Sequence, residues 1–286
     1  MHFLLASIAC SVAVSVLLKL APRGRLDMRQ AIAVNYVVAA LLAWWVLGAG
    51  PAEFSRFDAT AWGLLLALGI GLPAMFWVLA LAVRRSGIVR TDAAMRLSLL
   101  LPLIAAFTVF GEPLTAAKSI GLVLGLLAIV LIVLRRDRAE ADGKSWSGLL
   151  LVVFAGMGVI DILFKAMARL GQASSASVLL TAFVLAALLS LAAVAWLYRC
   201  SRATWRPRHL LAGLLLGLLN FGNIVFYIQA HRAMPANPAL VFAAMNIGVI
   251  VTATVVGMLA LRERPGRANL AGLALAVIAV AILATA

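Results

Sequence analysis

Ten apolar runs, each about 18–25 residues long, follow one another through this 286-residue chain. They occupy residues 3–21, 29–48, 61–83, 92–110, 116–134, 147–168, 174–198, 209–230, 236–260 and 267–285. At 1.5 Å per residue, a helix of that length crosses a hydrocarbon core of about 30 Å. An open sheet would leave its edge N–H and C=O groups without partners in lipid. The alternation expected of a membrane β-barrel strand is absent from the runs. The sequence therefore predicts an all-α membrane protein of ten transmembrane helices. Composition agrees, at 65% hydrophobic and 12% charged, where soluble domains average about 45–50% and 25%.

The formal net charge is +14. In a soluble domain that would point to nucleic acid. Here the cations fall in short loops, so they read as orientation signals, with the lipid bilayer as partner and no nucleic acid. Loops after the odd-numbered segments carry seventeen: Arg23, Arg25, Arg29, Arg84, Arg85, Arg90, Arg135, Arg136, Arg138, Lys144, Arg199, Arg202, Arg206, Arg208, Arg262, Arg264 and Arg267. Those after even-numbered segments carry four: Arg56, Lys118, Arg169 and Arg232. The bias places the odd loops in the cytoplasm and both termini outside, in a plasma membrane that for a bacterium is the inner membrane. No basic stretch or A-x-A cleavage pattern precedes Pro22, so the first segment reads as a helix rather than a cleaved signal peptide. Cys10 and Cys200 are too few and too scattered for a disulfide framework or a metal site, and no cofactor is expected.

The chain also repeats itself. The polar stretch RRDRAEADGKSWS at 135–147 separates five segments from five. It defines a first repeat over 1–136, a linker over 137–146 and a second repeat over 147–286. Lys19 and Lys165 lie 146 residues apart, each inside an apolar segment and each followed four residues later by an arginine, Arg23 or Arg169. Glu112 and Glu263 each precede a glycine by nine residues, Gly121 and Gly272. Ala93-Ala94-Met95-Arg96 matches Ala243-Ala244-Met245-Asn246. Five is odd, so the second repeat must lie inverted relative to the first, as in many secondary carriers.

Leu101-Pro102-Leu103, then Phe110-Gly111-Glu112-Pro113-Leu114-Thr115 leading to Gly121 and Gly125, resembles the EamA repeat of the drug/metabolite transporter (DMT) superfamily. Leu261-Arg262-Glu263-Arg264 leading to Gly272 is a weaker second copy. The resemblance implies an exporter of small molecules such as amino acids, sugars, drugs or phosphorylated metabolites, working by alternating access. It also implies cytoplasmic termini, the reverse of what the charge bias predicts.

Charged residues inside such segments are costly, by about 3 kcal/mol on insertion scales. Lys19 and Lys165 either snorkel to headgroups or face a water-filled path at opposite mouths and attract an anionic substrate. Arg96, with its repeat mate Asn246, offers a donor fork suited to carboxylate or phosphate. Asp92, four residues before Arg96, reads as a helix N-cap. Asp161, four residues before Lys165, is either a structural ion pair or a proton-coupling carboxylate. Asn220 and Asn223 share a helix face and either tie helices together or bind a polar substrate. Glu112 and Glu263 read as structural, satisfying free N–H groups where segments five and ten begin. Pro102 and the glycines Gly121 and Gly272 read as architecture. Gly121-x-x-x-Gly125 and Gly213-x-x-x-Gly217 permit close helix contacts, within the monomer or across a homodimer. No HExxH, GxSxG or GxxxxGK[ST] occurs and the three histidines are scattered, so no enzymatic role is expected. The sequence favours a secondary active transporter of small polar or anionic metabolites, with a non-transporting scaffold or lipid flippase subunit as the alternative.

The charge bias gives a direct test. With Cys10 and Cys200 changed to serine, Ser145→Cys in the linker should resist an impermeant thiol reagent in intact cells. Ready labelling would reverse the topology.

Overall fold

The computed structural model describes residues 2–21, 26–48, 51–108, 115–134, 147–201, 206–234 and 238–285. Glu112 and the linker 137–146 lie outside the described residues. Among the described residues the chain is helical and holds no strand. Its helices are α1 (His2–Leu20), α2 (Met28–Val46), α3 (Ala59–Ser86), α4 (Ile88–Leu97), α5 (Leu100–Thr108), α6 (Ala116–Leu134), α7 (Ser147–Leu170), α8 (Ser175–Ser201), α9 (Pro207–Ala233), α10 (Pro238–Leu259) and α11 (Arg267–Thr285). A short 3-10 helix, Pro51–Arg56, precedes α3.

Seven of these, α1, α2, α3, α7, α8, α9 and α11, are long and apolar enough to cross a membrane. Their apolar side chains face outward as well as inward: Leu5, Trp45, Leu188 and Leu211 are 65%, 83%, 59% and 66% exposed. Such a surface is stable only where its surroundings are apolar too. This is an all-α, multi-pass membrane protein.

The fourth apolar segment corrects the sequence expectation of one continuous helix over 92–110. It begins earlier, at Ile88, and breaks at Ser98–Leu99 into α4 and α5. The cause is Pro102. Its ring nitrogen cannot donate to the Ser98 carbonyl four residues back, and the ring crowds that carbonyl. Leu101 N–H takes the Ser98 carbonyl instead, at 3.0 Å, and the Ser98 hydroxyl donates to the Met95 carbonyl at 2.6 Å.

The residues gather into two compact units. One comprises Met1–Lys19, Val78–Val159 and Asn223–Ala286, the other Leu20–Trp77 and Ile160–Gly222. The division passes through α3, α7 and α9, so each unit draws on both halves of the sequence.

In the first unit α6 and α11 form the most extensive helix pair, and α10 packs on α4 and α11. Small residues set the closeness of the α6–α11 pair. A Cβ on Gly121 would meet Leu283 at 2.6 Å, and one on Gly272 would meet the Ala128 carbonyl at 3.1 Å and Ile132 at 2.9 Å. Ala128, Ile132, Ala276 and Ala279 are fully buried. Without a hydrophobic drive between helices in lipid, such close backbone approach is what holds them together.

In the second unit α2 packs along α8, and Ala39, Ala43, Ala182 and Ala186 on these helices are fully buried. Gly213 and Gly217 of α9 pack on α2, where a Cβ would approach the Ala31 and Asn35 carbonyls at 2.8 and 3.0 Å. Gly213-x-x-x-Gly217 is therefore used within the chain. A polar knot closes one end. The Tyr198 hydroxyl donates to Asp27 Oδ2 at 2.6 Å, Gln30 Nε2 donates to the Tyr198 oxygen, and Asp27 N–H donates to His209 Nδ1 at 3.1 Å.

Candidate functional site

The polar residues of the first unit converge on α4. Eight of its ten residues are buried, Arg90, Thr91 and Asp92 among them. Ile88 and Val89 at its start are buried, so the N–H groups of its first turn need acceptors from the chain. Here Glu263 serves them. Its Oε1 accepts from Ile88 N–H at 2.8 Å and its Oε2 from Val89 N–H at 3.2 Å. The Lys19 ammonium lies 3.2 Å from the same Oε1 and donates to the Val83 carbonyl at 3.1 Å. Both side chains are largely buried, 25% exposed for Lys19 and 13% for Glu263.

Local sequence makes this junction fit. Gly87 precedes α4 at φ +84°, a conformation that side-chain-bearing residues rarely adopt. A Cβ there would also lie 2.7–2.9 Å from the Glu263 carboxylate. Glu263 is aimed by the end of α10, where its N–H closes onto the Gly257 carbonyl at 2.9 Å and Arg262 takes a left-handed φ of 57°. A cavity of about 220 Å³ opens beside the junction, lined by Lys19, Ser86, Arg90, Arg262, Glu263 and Arg264 among others.

From that junction a polar stripe runs along α1. Ser7, Ser11, Ser15 and Lys19 recur every four residues, over about 18 Å of helix. Each meets a polar partner. The Ser7 hydroxyl lies 2.9 Å from the Asn223 carbonyl oxygen, 2.8 Å from its Oδ1 and 3.4 Å from Met245 Sδ. Ser11 Oγ accepts from Arg96 Nη2 at 2.6 Å. The Ser15 hydroxyl donates to Asp92 Oδ1 at 3.0 Å. All three serines are buried. The sequence signal for the stripe is the strict four-residue spacing of polar residues in an apolar helix, and the three serines were missed as candidates for lack of charge.

The predicted site residues divide between the units. Lys19, Arg96, Asn223, Asn246 and Glu263 fall in the first, where the α1 stripe and the α4 junction join all but Asn246. Asn246 Nδ2 donates to its own helix, at the Phe242 carbonyl, 2.9 Å away. Lys165, Asp161 and Asn220 belong to the second unit. Asn220 Nδ2 donates to Asn35 Oδ1 at 3.3 Å, linking α9 to α2. Asp161 is exposed on α7 and Lys165 half-buried.

Three readings need correction. Asp92 is not an N-cap: Gly87 holds that position, and Asp92 points its carboxylate at α1. Glu263 does serve helix N–H groups, but those of α4 rather than of its own following helix, because the α10 turn aims it there. Arg90, counted with the loops, is 4% exposed within α4 and donates to the Ile132 carbonyl at 3.2 Å near the end of α6. Losing it leaves the charge bias strong.

Fold and site together define a multi-pass α-helical membrane protein with a charged and hydroxyl-bearing seam buried between its helices. The chain belongs to the same family as an uncharacterized protein of Haemophilus influenzae, with which it is 41% identical over 287 residues, covering 98% of this chain and 96% of that protein. No protein-family model matches it. A crystal structure described without a function shares the fold, with a TM-score of 0.55 at 16% identity over 98% of this chain and 94% of the other.

The junction should behave as one unit in thermal unfolding. Glu263→Ala, which removes the acceptor of two N–H groups and the counter-charge of Lys19, should cost about 1–3 kcal/mol, and Glu263→Gln less. Lys19→Met combined with Glu263→Gln should cost less than the two single changes added together. Strict additivity would mean the pair is not coupled.

Proposed function

We propose that this chain is a secondary active transporter of small polar or anionic metabolites, amino-acid-like compounds or drugs, working by alternating access in the bacterial inner membrane. The observation that carries the reading is the interrupted segment α4–α5, whose first half holds Asp92 and Arg96 against the hydroxyls of α1. Broken helices in transporters line binding sites, because irregular backbone and charge are tolerated in lipid only where they face protein or a water-filled cavity. Arg96 supplies a guanidinium for a substrate carboxylate or phosphate. Lys19, Asn223 and Asn246 lie on the same unit, while Lys165 and Asn220 are substrate-facing candidates on the other.

Duplication with inversion, ten spans and membership of the EamA branch of the DMT superfamily belong to the same proposal. Pairing of corresponding helices supports it. α2 meets α8, α4 meets α10, and α6 meets α11, the second, fourth and fifth segments of each half. The reciprocal glycine contacts, Gly121 on α11 and Gly272 on α6, fit a local two-fold relation. Export as the direction follows from the family resemblance, termini outside from the charge bias.

The purified chain in proteoliposomes should by itself exchange a ligand found by thermal-shift screening, since a ligand that binds the native state raises apparent stability. Arg96→Lys keeps the charge but loses the two-pronged geometry, and should lower transport by about tenfold while the protein stays folded. Unchanged transport by Arg96→Ala would remove Arg96 from the site. A chain that binds but exchanges nothing would favour the scaffold reading.

A further inference from the structure

Asp92 is 0% exposed. Its Oδ1 accepts from Ser15, and its Oδ2, also buried, meets no hydrogen-bond donor among the described residues. Buried polar atoms in native folds nearly always have partners, and an exception calls for a physical reason. An ionised carboxylate has about four lone-pair positions to fill, and here one is filled.

The charged surroundings do not supply the rest. Arg96, one turn further along α4, gives its Nη2–H to Ser11. Arg90 gives its Nε–H to the Ile132 carbonyl. Lys19 is tied to Glu263. The helices packed on α4, namely α6, α10 and α11, bring Asn246 and Asn269 but no buried acid, base or histidine among the described residues. A hard metal ion would require about six oxygens, and no group of three or more metal-binding side chains exists among the described residues. The cation that fits one carboxylate and one hydroxyl is a proton.

We infer that Asp92 is a proton-binding site, the place where the proposed carrier takes up and releases a proton. The transport role rests on the preceding reading; the proton binding does not. Protonation forms one O–H bond on the carboxyl and takes its charge from −1 to zero. The Ser15 hydroxyl donates to the anion and, turned about its C–O bond, accepts from the acid, so one contact serves both states. With Asp92 neutral, Arg96 loses a negative neighbour four residues away and its attraction for an anionic group rises. This assignment takes the coupling role from Asp161, which is exposed on α7.

The test is an infrared pH titration of the purified chain in phosphatidylcholine nanodiscs, between about pH 4 and pH 9. The wild type should show a protonated-carboxyl C=O band that fades as pH rises. Asp92→Asn should lose that band, Asp161→Asn should keep it, and Asp92→Glu should restore it at a shifted frequency. A titration identical in wild type and Asp92→Asn overturns the inference, whatever the transport assays give. Should Asp92→Asn not insert, Ser15→Ala replaces it: loss of the hydroxyl partner should move the band and its midpoint, and an unmoved band overturns the inference equally.

Discussion

The carboxylate of Glu263 at the start of α4 is the contact on which the polar interior depends. The first turn of α4 is buried, so its first N–H groups require an acceptor from the chain. Glu263 supplies two oxygens, and its charge suits the positive end of the helix dipole. Lys19 then balances that charge and fixes α1 to the same point. Once α1 and α4 are pinned there, the four-residue spacing of Ser7, Ser11 and Ser15 presents hydroxyls along the seam, where Arg96 and Asp92 find theirs.

The seam is held by unlike means on its two sides. Around it, α6, α10 and α11 pack through glycine and alanine, contacts that gain from closeness rather than from exclusion of water. Within it, hydrogen bonds to charged groups are stronger than neutral ones and demand fixed geometry. Such a combination gives a rigid frame around a polar seam whose charge state can change. A carrier has the same needs: a scaffold that survives the cycle and a small set of groups whose occupancy drives it.

The long apolar helices are legible because apolar length is a one-dimensional signal, and α1, α2 and α11 end within a few residues of the segments read from sequence. The break between α4 and α5 was less so. Pro102 is plain in the sequence, but whether a proline kinks, breaks or is absorbed depends on whether Ser98 and Leu101 find other bonds. Arg96 stood out as a charge among apolar residues, and the structure gives it a defined partner in Ser11. Asp92 resembles a cap in the sequence because it is an acid near the expected start of a helix; the helix starts four residues earlier, at Ile88. The Glu263 contact was not readable, since it spans 175 positions and depends on a left-handed turn at Arg262.

Hydrogen exchange at the first turn of α4 tests this account most directly. The Ile88 and Val89 amides should exchange slowly in the wild type and much faster in Glu263→Ala, while amides in the middle of α11 stay unchanged, because local opening follows the loss of the local acceptor. Equal protection of Ile88 and Val89 in the two proteins would contradict the claim that Glu263 holds the half-helix in place.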